Sequence, residues 1–124
     1  MQKLLKNVSD DRLRAYIVWL PMFPGDSEDW AKTRSAEFSD PRLAYYWDGG
    51  RLSGQQWQKV LGISQTAWDV YLLYSADSPW SEEPGVPSFW MQQLSGVTNA
   101  PRLNEAVFEA KVKELLDQGA RQTP

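Results

Sequence analysis

At 124 residues and a formal net charge of −3, with 42% hydrophobic and 23% charged residues, the chain has the composition of one globular domain. It lacks the basic field that nucleic-acid binding requires, and it contains no Cys and no His. That excludes disulfides, thiol nucleophiles and Cys-based zinc sites, and it removes the commonest general base and the commonest metal ligand.

The amino terminus through Asp11 has no apolar run of signal-peptide length, and no later segment approaches the roughly 18 apolar residues of a membrane span. A soluble, unexported chain with no membrane partner is expected, and its compartment stays open because a chain without thiols is indifferent to redox conditions. Leu4 to Val8 read as the tail of a helix, ended by the turn Ser9-Asp10-Asp11. The dense apolar run Leu13 to Leu20 predicts a strand buried on both faces and stopped by Pro21. Two prolines and a glycine between Pro21 and Asp26 predict a loop. Asp26 or Ser27 then caps a helix with Glu28 and Asp29 in its first turn, and Trp30, Ala31, Arg34 and Phe38 share one side.

Leu43 to Trp47 is the second expected strand. Asp48-Gly49-Gly50 follows as a turn in which the glycines admit positive φ. Ser53 to Leu61 reads as a short helix with Trp57, Val60 and Leu61 on one face and Gly62 as its stop. Val70 to Tyr74 form the third strand, Ala76 to Ser88 a long loop interrupting a hairpin, and Phe89 to Leu94 the fourth strand. Pro101, Asn104 and the stripe Phe108, Val112, Leu115 and Leu116 predict a C-terminal amphipathic helix closed near Gly119. The whole is one α/β domain of about four strands with flanking helices, ending in ββα.

Three features of this order resemble the peroxiredoxin and TlpA-like branch of the thioredoxin-like fold. The block Asp40 to Tyr74 is similar to that branch's strand, Gly turn, short helix and strand. The unit Val70 to Gln118 is similar to its closing ββα, and Gln65-Thr66-Ala67-Trp68-Asp69 to its loop before the penultimate strand. The resemblance spans nearly all the chain but lacks the Cys-x-x-Cys and the family's first strand, and Ala67-Trp68 stand where the family has a cis-proline. It implies a structural or protein-binding module without thiol redox activity and without a cofactor, a fragment or diverged relative of a thiol oxidoreductase. The missing strand is the central one between Leu13–Leu20 and Val70–Tyr74. Either those strands pair directly, or a homodimer partner or another protein fills the exposed edge, with Tyr16-Ile17-Val18-Trp19-Leu20 as the seam.

Seven tryptophans, Trp19, Trp30, Trp47, Trp57, Trp68, Trp80 and Trp90, are spread through the chain. Most are expected to fill core and grooves. The pairs Trp47-Asp48 and Trp68-Asp69 fall at strand ends, as do Trp19, Pro21 and Met22, and strand ends are where ligand crevices form in open α/β sheets. These seven residues form a candidate cleft for a ligand or partner at one end of the sheet. A carboxylate-dependent enzyme built on Asp48 and Asp69 is the alternative. The remaining acids, Asp26, Glu28, Asp29, Asp77, Glu82 and Glu83, read as caps, turns and solvated loop, and no metal site is expected. The Trp-Asp repeat, 21 residues apart, does not fit a propeller blade, whose period is roughly 40 to 45 residues. No glycine-rich phosphate loop is present.

Overall fold

A short helix, α1 (Gln2–Asn7), opens the chain and is held at its C-terminal end by a side chain distant in sequence. Arg42 donates to the carbonyls of Leu5, Val8 and Asp10 while pairing with Asp40 at 2.8 Å. Six residues are too few for a stable isolated helix, so this tertiary cap and the burial of Leu5 maintain it. The computed structural model describes residues 2–78 and 82–121. Trp80, with its neighbours Pro79 and Ser81 in the expected long loop, lies outside the described residues.

Strand β1 (Ala15–Trp19) is shorter than the apolar run that announced it, and it runs parallel to β2 (Leu43–Trp47) with Ala15 opposite Leu43 and Trp19 opposite Trp47. Helix α2 (Glu28–Ser35) makes the crossover, capped by Ser27, whose hydroxyl accepts from the Trp30 amide. Phe38 falls beyond that helix but still packs its ring on Tyr45. The expectation of a strand buried on both faces is corrected: α2 covers the face bearing Trp19 and Tyr45, whereas Tyr16 and Tyr46 stand exposed on the other. A continuous apolar run gives the same sequence signal whether its second face is covered or open.

The turn at Asp48-Gly49-Gly50 is present, but neither glycine takes positive φ. The left-handed residue is Arg51, at φ 56°. Gly49 is in a tight place for a different reason, because a Cβ there would sit 3.1 Å from the indole nitrogen of Trp47, which would have to give by a few tenths of an ångström. Helix α3 (Leu52–Leu61) closes at Gly62, φ 66°, with the Ile63 amide donating back to Gln58 in a Schellman-type end.

Strands β3 (Val70–Leu73) and β4 (Phe89–Gln92) pair antiparallel, and α4 (Glu105–Arg121) follows, running past the stop expected at Gly119. Asn104 caps α4 by accepting from the Val107 amide. Phe108 and Val112 of α4 meet Val8 and Met91 in the principal core, flanked by Leu4, Leu13, Tyr71, Leu73 and Leu116. The outer edge of β4 is closed by the chain at 101–103, where Gln92 exchanges backbone hydrogen bonds with Pro101 and Leu103.

The architecture is α/β, with four strands in two separate two-stranded sheets and four helices among the described residues. The four strands therefore do not form one sheet, and direct pairing of β1 with β3 does not occur. Ala15 donates to Arg42 and Trp19 accepts from Asp48, so the alternation of a strand turns the N–H and C=O groups of Tyr16 and Val18 away from β2. Asp69 and Leu73 accept from the β4 side, which turns those of Val70 and Leu72 away from β4. No helix among the described residues is long and apolar enough to cross a membrane.

Candidate functional site

The C-terminal end of β1 and the N-terminal end of β3 border one cleft of about 280 Å³. Trp19 and Leu20 enter it from β1, and Trp68, Asp69 and Tyr71 from the approach to β3 and from β3 itself. Met22, Phe23 and Asp26 of the proline-rich loop and Trp30 of α2 complete the wall.

Local hydrogen bonds and ring contacts shape this wall. Asp26 folds the loop over by accepting from the amides of Met22 and Phe23, both at 2.9 Å, through one carboxylate oxygen. The indole N–H of Trp19 donates to the Ser35 hydroxyl at 3.0 Å, fixing the ring against Trp30, whose plane meets it edge-on at 5.2 Å. Across the cleft, Phe23 and Trp68 form a second edge-to-face pair at 5.4 Å. Phe23 is 59% exposed, Trp30 40% and Trp68 36%, so these rings remain open to solvent instead of serving as core.

The Tyr71 hydroxyl donates to Asp69 at 2.9 Å. Burial first, and then the Asp69 carboxylate beside it, push the phenol well above its ordinary range, so Tyr71 stays protonated and keeps donating. Asp69 also anchors the hairpin, its carbonyl accepting from the Gln93 amide.

Of the residues expected to form a cleft, Trp19, Met22, Trp68 and Asp69 meet here. Pro21, Trp47 and Asp48 do not line it. Pro21 instead offers its carbonyl to the Arg51 guanidinium at 2.6 and 2.9 Å, which compensates the left-handed backbone of that arginine. Trp47 lies in register with Trp19 at the end of β2. Asp48 is engaged at the start of α3, accepting from the Leu52 and Ser53 amides and the Ser53 hydroxyl. Burial works against its ionisation, but those hydrogen bonds outweigh burial and hold the carboxyl below its usual range. Asp48 and Asp69 thus serve separate local structures.

Sequence reading missed Leu20, Phe23, Asp26, Trp30 and Tyr71 as members of the cleft. Their signal was present for Phe23 and Asp26: an aromatic on a Pro-Gly loop closed by an acid is the pattern of a side chain held outward. For Trp30 there was none, because one aromatic on a helix reads as core filling. Among the described residues no three His, Cys, Asp or Glu side chains cluster as a metal site. No protein-family model, curated protein or solved structure matches this chain.

Proposed function

We propose that the chain is a non-catalytic, thioredoxin-like protein-binding module that takes an extended segment between β1–β2 and β3–β4, with a second copy of the chain as the occupant. The observation that carries this reading is the pair of open strand edges. Tyr16 and Val18 on β1, and Val70 and Leu72 on β3, direct backbone donors and acceptors away from the ladder partners these strands have among the described residues. A strand laid along either edge would satisfy that row, and main-chain hydrogen bonds of this kind are how sheets recruit peptides. A parallel βαβ half followed, after α3, by an antiparallel ββα half supports the thioredoxin-like reading, because that fold is built from two such halves joined by a helix. The exposed Tyr16, at 63%, and the apolar run around it supply a seam for self-association.

Sedimentation equilibrium at micromolar concentration tests the proposal. A mass of twice 14.2 kDa is expected for the native chain. Val18→Pro removes an N–H that faces the open edge without touching the bonds to β2, so it yields the 14.2 kDa species with unchanged far-UV circular dichroism. A native chain of 14.2 kDa throughout, with full secondary structure, overturns self-pairing.

A second reading, a small-ligand binder, is favoured by the cleft itself, where two edge-to-face aromatic pairs and two carboxylates face one space. A carboxylate-dependent enzyme would need two acids acting on one substrate, and Asp48 is committed to the start of α3.

A further inference from the structure

We infer that the cleft binds a small organic cation, an ammonium or guanidinium head with apolar flanks. This rests on the ligand-binding reading and goes beyond it by naming the ligand's charge and class. The acidic side chains on the wall are Asp26 and Asp69, and no Lys or Arg among the described residues lines it. Each acid has one oxygen in use. Asp26 Oδ2 holds the Met22 and Phe23 amides and Asp69 Oδ1 holds the Tyr71 hydroxyl. Asp26 Oδ1 and Asp69 Oδ2 take no hydrogen bond from the described residues and are left to meet a ligand.

The same cleft is lined by Trp19, Trp30, Phe23 and Trp68, whose ring faces attract cations through the aromatic quadrupole. The alternatives fit worse. An anion would be repelled by both carboxylates, and a neutral apolar ligand would desolvate them with nothing in return. A small, strongly hydrated metal ion would call for several oxygen ligands, and no cluster of three acids exists among the described residues. The volume of about 280 Å³ lies just below the range of roughly 300 to 1,000 Å³ typical of drug-sized pockets, which suits a single head group.

Calorimetric titration of the purified chain with choline, paired with its uncharged isostere 3,3-dimethylbutan-1-ol, tests the inference, with tryptophan fluorescence as a second readout. Choline is expected to saturate with a Kd on the order of 1 mM, and the isostere to bind roughly tenfold more weakly. Asp69→Asn, which keeps an oxygen acceptor for Tyr71, and Phe23→Ala, at an exposed position, should each weaken choline severalfold with unchanged circular dichroism. Should Asp69→Asn fail to fold, Phe23→Ala decides. Equal affinity for choline and the isostere overturns the cation inference and leaves the ligand-binding reading standing. Saturation by neither overturns both, and choline binding untouched by both substitutions overturns the location.

Discussion

Gln92 is the most deeply buried polar side chain among the described residues, at 1% exposure, and it organises the chain that follows β4. Its amide nitrogen donates to the carbonyls of Val97 and Ala100, and its carbonyl accepts from the Leu94 amide. A single glutamine thus satisfies three backbone groups of the chain that follows β4, the buried amide of Leu94 among them. Gln92→Leu keeps approximate volume but strands those groups, so a loss of about 2 kcal/mol is expected in urea unfolding. A change under a few tenths would show that water replaces the side chain without cost. Arg42, paired with Asp40, likewise satisfies backbone carbonyls, those of Leu5, Val8 and Asp10 at the end of α1. Asp40 is held at about 2, first by its side-chain hydrogen bond from Arg42 and then by the Arg42 backbone amide, against an ordinary value of 3.8. A folded-state value below the unfolded one stabilises the fold above pH 3.8, and that contribution fades as pH falls toward about 2. The melting midpoint should therefore decline across that interval, and Asp40→Asn should flatten the decline while lowering the midpoint at neutral pH. Parallel pH profiles for the two proteins would show that the pair contributes nothing.

Helix α3 shows how an element is placed by its smallest residue. A Cβ on Gly54 would lie 2.6 Å from Thr66 Cγ2, 2.7 Å from Leu20 Cδ2 and 3.2 Å from the Ala67 carbonyl oxygen. The Gly54 carbonyl meanwhile accepts from the Ala67 amide at 3.1 Å, so the helix and the loop before β3 are in backbone contact. Gly54→Ala raises helix propensity yet must displace Thr66 and Leu20 or push α3 away from that loop. Overpacking of this kind costs about 1 to 3 kcal/mol. We expect a net loss in thermal or urea unfolding, together with a fluorescence change from Trp68 beside the displaced loop. A gain in stability would mean that Leu20 and Thr66 rotate aside freely. The contrast with α4 is physical. Its stripe Phe108, Val112, Leu115 and Leu116 repeats at helical spacing, and its boundary is a local Asn104 cap, so both the element and its buried face are written in adjacent residues. The reason for Gly54 lies in residues 34 positions upstream and 12 downstream, where no local pattern can register it.

At the scale of the whole molecule, the sheet is where local and global information part. The strands β1 to β4 and the helices α2 to α4 follow from the sequence because each rests on short-range rules: apolar runs for β1 to β4, Ser27 and Asn104 as caps, Gly62 as a stop. The absence of Cys and His likewise excludes thiol chemistry without reference to any fold. Strand partnership is a long-range property. Only the folded chain decides that β1 pairs with β2 alone and β3 with β4 alone, because backbone hydrogen bonding carries no side-chain signature of the neighbour it selects. The cleft follows the same logic. Trp19, Met22, Trp68 and Asp69 were legible as residues at strand ends. Their union with Phe23, Asp26 and Trp30, and the diversion of Asp48 to cap α3, depended on which loop folds over which strand. Local propensity fixes each element within a few neighbouring residues, whereas a binding surface is assembled from elements whose approach is set by packing across the whole chain.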